Sequence, residues 1–268
     1  MVDPRRPGSA RCATGEPLVS HHLSGTLTVS EEHRVSPFVA CGCPELRSFV
    51  EWGLDMQLAD VADLIRLPSA DANLHAGQNF TAATVLLNLI AGASVWWFDA
   101  SVDGLRARGD RSRRYREVLG IYWPWNGEGV DAQTGTEVLY NLARNPMSHM
   151  AGLPGPHDEP LLSLVKSPLT PLQIDELGAS ERRPEWLGPT IATAPGCPVG
   201  AAFQLSVPGL YWSMQRLLRG LLADPAQAQA ANAVAATTIR RLTDPNAPWR
   251  QLPREIGGRD PEQGPTPD

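Results

Sequence analysis

Between Pro44 and Pro68, apolar residues recur at spacings of three and four: Leu46, Phe49, Val50, Leu54, Leu58, Val61, Leu64 and Ile65. Glu51, Asp55, Asp60 and Asp63 fall largely on other faces. That period predicts an amphipathic helix, with Pro44 suited to its first position and Pro68 ending it. A second helix is predicted over Gln78–Leu105 and a third over Arg111–Leu119, running on into Tyr122-Trp-Pro-Trp125, where Pro124 stops it. A fourth is expected to begin near Thr136, capped by Thr134 or Thr136, with Val138, Leu139 and Leu142 on its apolar face.

The pattern changes after residue 152. Leu161–Lys166, Thr190–Ala194 and Ala201–Val207 are short runs between Pro and Gly, and read as strands of a small antiparallel sheet. Helical spacing returns in Pro208–Ala223 and in the Ala-rich stretch Pro225–Leu242. The expected fold is mainly α: an antiparallel helical bundle with a small inserted antiparallel β-sheet. Its expected divisions are a loosely ordered 1–43, with a short strand at Leu23–Val29, a helical core over 44–152, the sheet and last helices over 153–243, and a loose tail over 244–268.

One stretch tests the distinction between a core and a membrane. Residues 72–98 carry no Asp, Glu, Lys or Arg, and Phe80–Phe98 is rich in Leu, Val, Ile and Trp. Its length suits a membrane span of about 20 residues. Asn88, Thr81, Thr84, Gly92 and Ser94 interrupt it and no second span follows, so a fully buried central helix and no membrane is the expectation.

Composition narrows the class. The chain has 268 residues, enough for a sizeable core, and a net charge of −6, which argues against a general polyanion binder but leaves room for a local basic patch. Cys12, Cys41, Cys43 and Cys197 form no CxxC pair, so free thiols in a reducing cytoplasm are expected. No apolar run follows Arg5 and Arg6, so no signal peptide is expected. Lys166 is the only lysine, read here as compositional bias.

Several chemistries lack their residues. There is no phosphate-cradling P-loop, no G-x-G-x-x-G after a strand, no G-x-S-x-G elbow and no H-E-x-x-H. His157-Asp158-Glu159 lacks further ligands at a recognisable spacing, so neither a metal nor another cofactor is expected.

The richest polar cluster is Leu139-Tyr-Asn-Leu-Ala-Arg-Asn-Pro-Met-Ser-His149. It gathers Arg144, Asn145 and His149, preceded by Tyr140 and Asn141. RNA carries its own nucleophile, the 2′-OH. Cleavage needs a base for that proton, which His supplies with a pKa of about 6.5. It also needs a fixed cation for the phosphorane, which Arg supplies through a fork that matches phosphate oxygens. On a straight helix Arg144 and His149 would stand about 140° apart. Either Pro146 bends the backbone or starts a fresh helix, with Asn145 as its cap, or a second subunit supplies the partner group.

The order Arg144-Asn145-Pro-Met-Ser-His149, after an apolar helix and a charged helix ending in Tyr-Trp-Pro, resembles the HEPN superfamily of all-helical proteins. The resemblance covers roughly residues 44–152. Gly152 and Pro154 leave less helix after the His than that family's longer helices have. It implies a metal-independent endoribonuclease leaving a 2′,3′-cyclic phosphate, with Arg144, His149 and Asn145 catalytic, and a homodimer with facing motifs, under a protein regulator and with a role in defence or as a toxin. It equally admits a non-catalytic module that binds nucleotide, RNA or a protein.

Tyr140 and Asn141, four and three positions before Arg144, can share its side of the helix and are candidate substrate-binding residues. Residues 106–116 hold six Arg against one Asp; Arg111, Arg113 and Arg114 are candidate phosphate contacts, the alternative being a solvated helix face. For Arg144 and His149 the alternative is a buried, internally satisfied polar pair.

Overall fold

The three-and-four spacing at the start folds as α1 (Met56–Arg66), which buries Leu58, Val61, Ala62 and Ile65 and leaves Gln57, Asp60 and Asp63 in water. The structure, a computed structural model, describes residues 54, 56–67, 78–96, 111–149, 160–166, 169–198, 200–243 and 246. In chain order the further elements are α2 (Asn79–Trp96), α3 (Arg111–Tyr122), α4 (Ala132–Glu137), a π-helical turn (Val138–Arg144), α5 (Asn145–His149), β1 (Leu161–Val165), α6 (Pro171–Ala179), β2 (Ile191–Thr193), β3 (Ala202–Ser206), α7 (Val207–Ala223) and α8 (Pro225–Thr243). The protein is mainly helical, with one small three-stranded sheet among the described residues.

Two helices form the centre. The uncharged α2 packs against α1, α3, α7, α8, β1 and the π turn, which explains its apolar faces. The expected burial on all sides is corrected: Thr81 and Asn88, seven residues apart, bring one stripe to the surface. No helix among the described residues is long and apolar enough to cross a membrane. α7 buries Leu210, Met214, Leu217, Leu218 and Leu221, and one apolar cluster runs from Leu54 to Ala231 through both helices.

The expected antiparallel sheet is corrected to a mixed one. The strand order is β1-β3-β2; β1 pairs with β3 in parallel, Leu161 opposite Ala202, and β2 pairs with β3 antiparallel, Ile191 opposite Leu205. A parallel pair needs a crossover, usually containing a helix. That helix is α6, which lies where only strands were expected. Its start is a capping box: Thr170 Oγ1 accepts from Gln173 N–H at 3.3 Å, Gln173 Oε1 accepts from Thr170 N–H at 2.9 Å, and Pro171 follows the cap. Its carbonyl end is held by donors from α7. Trp212 Nε1 donates to Ser180 O at 3.1 Å, Gln215 Nε2 to Leu177 O at 3.4 Å and Arg219 Nη2 to Gly178 O at 2.8 Å.

Two buried charges tie segments together. Lys166 Nζ donates to Leu64 O at 3.2 Å and Leu67 O at 2.6 Å, closing the carbonyl end of α1. The Glu128 side chain is wholly buried; it accepts from Arg183 Nη2 and from the backbone N–H groups of Thr190 at 2.6 Å and Ile191 at 3.0 Å. The sequence-predicted strand at Leu23–Val29, the first part of the Pro44–Pro68 helix, His157-Asp158-Glu159 and most of the C-terminal tail lie outside the described residues.

Candidate functional site

The helix that carries the Arg-Asn-Pro-x-x-His motif begins at Asp131, not at Thr134 or Thr136. The Asp131 carboxylate accepts from the N–H groups of Gln133 and Thr134, both at 3.0 Å, and from Thr134 Oγ1 at 2.6 Å. An aspartate that reaches two amides two and three residues on is the better cap, because the threonine hydroxyl is already spent on it. Gly135 is required just inside: a Cβ there would stand 2.3 Å from Cζ3 of Trp125. Trp125 is itself fixed by Nε1 donating to Leu119 O at 2.9 Å. The motif helix is thereby seated against the end of α3.

From Val138 to Arg144 the turn widens. Asn145 N–H donates to Tyr140 O, five residues back, the pattern of a π-helix. The wide turn immediately precedes Pro146, which lacks an N–H and whose ring, in a regular helix, meets the carbonyl four residues back. Helix resumes as α5 without a break. Asn145 has helical dihedrals, φ −63 and ψ −51, so it does not cap a fresh helix start. Val138, Leu139 and Ala143 turn into the core, and Asn141 is exposed.

Around this turn the polar groups are joined. Arg144 Nη1 donates to Asn145 Oδ1 at 3.1 Å. The Arg144 guanidinium carbon lies 6.0 Å from the Tyr140 ring centroid, and that of Arg116, from α3, only 4.1 Å. Arg116 Nε and Nη2 donate to the Glu137 carboxylate oxygens at 3.0 and 3.3 Å, and Nη2 also to Asn141 Oδ1 at 3.3 Å. Asn141 Nδ2 donates to Glu137 Oε2 at 2.6 Å. Beneath, Tyr115 packs its ring 5.4 Å from Tyr140. It is 1% exposed, and its hydroxyl has no hydrogen-bond partner. Burial raises the Tyr115 pKa, while the nearby Arg144 charge works against that rise.

Of the sequence-derived candidates, Arg144, Asn145, Tyr140 and Asn141 come together here. His149 closes α5, but its side chain lies outside the described residues. The basic run divides. Arg111 and Arg113 are exposed, Arg113 with Nε on Glu117 Oε1 at 2.9 Å, whereas Arg114 turns inward and is 6% exposed. Arg116 and Glu137 belong to the cluster; Arg116 was named from the sequence only as one of the six arginines of the basic run, and Glu137 was not singled out. Glu137, four positions before Asn141 and on the same helix side, carried a signal for its own half of the contact. Its pairing with Arg116, twenty-one residues away, had none.

Among the described residues no group of three or more His, Cys, Asp or Glu is placed to hold a metal ion. Chemically, the cluster offers fixed guanidinium groups to an anion, with an exposed amide and carboxylate beside them. Comparison of the chain with family models, with curated proteins and with solved structures gives no match.

Proposed function

We propose that the chain is a HEPN-like, metal-independent endoribonuclease, its helices packed as an antiparallel bundle, working as a cytoplasmic homodimer under a protein regulator. The observation that carries this reading is Arg144 itself: its guanidinium is oriented by Asn145 at 3.1 Å and stands beside Tyr140, with the Arg116 guanidinium over the same ring. A cation held in place ahead of the reaction stabilises developing phosphorane charge without reorganisation. In the proposed step His149 takes the 2′-OH proton, the 2′-oxygen bonds to phosphorus, and the P–O5′ bond breaks. The leaving 5′-oxygen takes a proton from water, His149 later returns its own to solvent, and the other product ends in a 2′,3′-cyclic phosphate. Asn145 acts by keeping Arg144 aimed; Tyr140, Asn141, Arg111 and Arg113 line the approach of the strand.

Purified protein incubated with structured RNA in EDTA is expected to leave cyclic-phosphate ends. His149→Ala should lower the rate by about a hundredfold to ten-thousandfold, the usual contribution of a general base. Its melting temperature should stay near that of the wild type. Arg144→Lys should also fail, because a point charge cannot make the two-point contact. Intact RNA across several substrates, with a well-folded dimer, would instead favour the non-catalytic binding module.

A further inference from the structure

Arg116 stands at this site with its donor edge already filled. Nε and Nη2 present two parallel donors, and the Glu137 carboxylate takes both, at 3.0 and 3.3 Å. That side-on fork is the geometry by which arginine also grips a phosphate. The guanidinium face is laid over Tyr140 at 4.1 Å, and Asn141 Oδ1 takes a further Nη2 bond. The fork is therefore oriented by an aromatic plane and an amide as well as by its anion.

The pair is also open to exchange. The side chains are 30% exposed for Arg116 and 48% for Glu137, so an anion in solution can reach the pair. Arg113 and Glu117 make a different contact: one nitrogen to one oxygen, within a single helix at a four-residue spacing. Arg116 and Glu137 join two separate elements, α3 and α4, and the Tyr140 ring that Arg116 covers also lies 6.0 Å from the Arg144 guanidinium carbon.

We infer that Arg116 is a second phosphate-binding residue of the Arg144 site, and that Glu137 holds, as a carboxylate, the place that an RNA phosphate takes over. The inference rests on the RNA-binding half of the reading above and not on cleavage. Its consequence is a self-imposed brake. Each strand that binds must displace an anion, so affinity is set below what the arginines alone would give.

The test is binding of a fluorescent single-stranded 2′-O-methyl oligonucleotide, which lacks the nucleophile and stays intact, measured over a range of salt. Glu137→Gln keeps an amide oxygen for Arg116 and removes the charge. It should bind about threefold to tenfold tighter than the wild type, because the strand no longer has to displace a carboxylate from Arg116. Arg116→Ala should bind about tenfold more weakly, with a salt slope shallower by about 0.7, the loss of one phosphate contact on a single strand. Where Arg116→Ala loses its thermal transition, Glu137→Gln decides alone. Glu185→Gln removes an equal charge from an exposed position outside the cluster and should change little. Equal tightening by both Gln variants, or none by Glu137→Gln, overturns the inference. If the wild type still cleaves ordinary RNA in that case, the nuclease reading stands. Tighter binding by Glu137→Gln without any cleavage supports the inference and sinks the nuclease. Absence of binding by every variant overturns the inference, and together with intact ordinary RNA it overturns the nuclease reading as well.

Discussion

Lys166 has a specific task at the residue scale. A cation at the carbonyl end of a helix satisfies groups that the helix itself cannot, and Lys166 serves Leu64 and Leu67 across 102 and 99 residues of sequence. Burial lowers its pKa below the ordinary 10.5, since the charged form is the one penalised by lost water. The folded state therefore releases its proton before the unfolded chain does. Over the alkaline interval between those two pKa values, the cost of burying the charge is relieved and stability rises with pH. Lys166→Ala is expected to lower the unfolding free energy at neutral pH by about 1–3 kcal/mol, the cost of stranding buried acceptors. It should also lack the alkaline rise. Urea unfolding of both proteins at several pH values measures both effects. The lone lysine read as compositional bias thus has a structural role that no sequence pattern announced.

The motif helix shows what can be decided at the scale of one element. Its beginning depends on Asp131, whose pKa is lowered chiefly by the hydrogen bond from Thr134 Oγ1, then by the Thr134 amide. A carboxyl with a depressed folded-state pKa stabilises above its unfolded value. That stabilisation is lost as pH falls through the folded value. The wild type should therefore lose stability on the acid side, and Asp131→Ala should show less of that loss while starting from a lower melting temperature at neutral pH. Thermal melts across the acid range report it; parallel curves for the two proteins would contradict the cap. The capping residues were legible in principle, since Asp131 precedes the helix and Thr170-Pro171-Leu172-Gln173 spells a capping box ahead of α6. The π turn was not legible. A proline in a helical stretch announces a disturbance, and whether the chain bends, restarts or widens depends on which side chains the core accepts.

At the scale of the whole molecule, the Glu128 clamp joins the loop before α4 to the sheet and to α7. Arg183 links Glu128 to Gly188 O at 2.8 Å and lies 4.9 Å from the Trp212 ring. Thr190, whose N–H Glu128 accepts, shares a 2.9 Å hydroxyl contact with Ser213 on α7. Gly209 permits that approach, for a Cβ there would stand 3.0 Å from Thr190. Removing one partner of a buried ion pair leaves an uncompensated charge, so Glu128→Ala should cost about 3–5 kcal/mol. Glu128→Ala combined with Arg183→Ala should cost less than the two single losses added, because the groups act as a pair. Chemical unfolding of the three variants gives the cycle, and simple additivity would contradict the clamp. The clamp anchors the segment leading into α4, and so the seat of Glu137 and Arg144.

Local rules of spacing were enough for the helices of the described chain other than α6, for the approximate positions of all three strands, and for gathering Tyr140, Asn141, Arg144 and Asn145 in one stretch. Periods of two and of three to four are properties of a short segment, and a segment carries them wherever it lies. Only the tertiary structure decided that β1 and β3 run parallel, that Arg114 turns inward while Arg116 joins the site, and which carbonyls Lys166 serves. Those outcomes depend on which distant surfaces meet and on where each polar group finds a partner once water has been excluded.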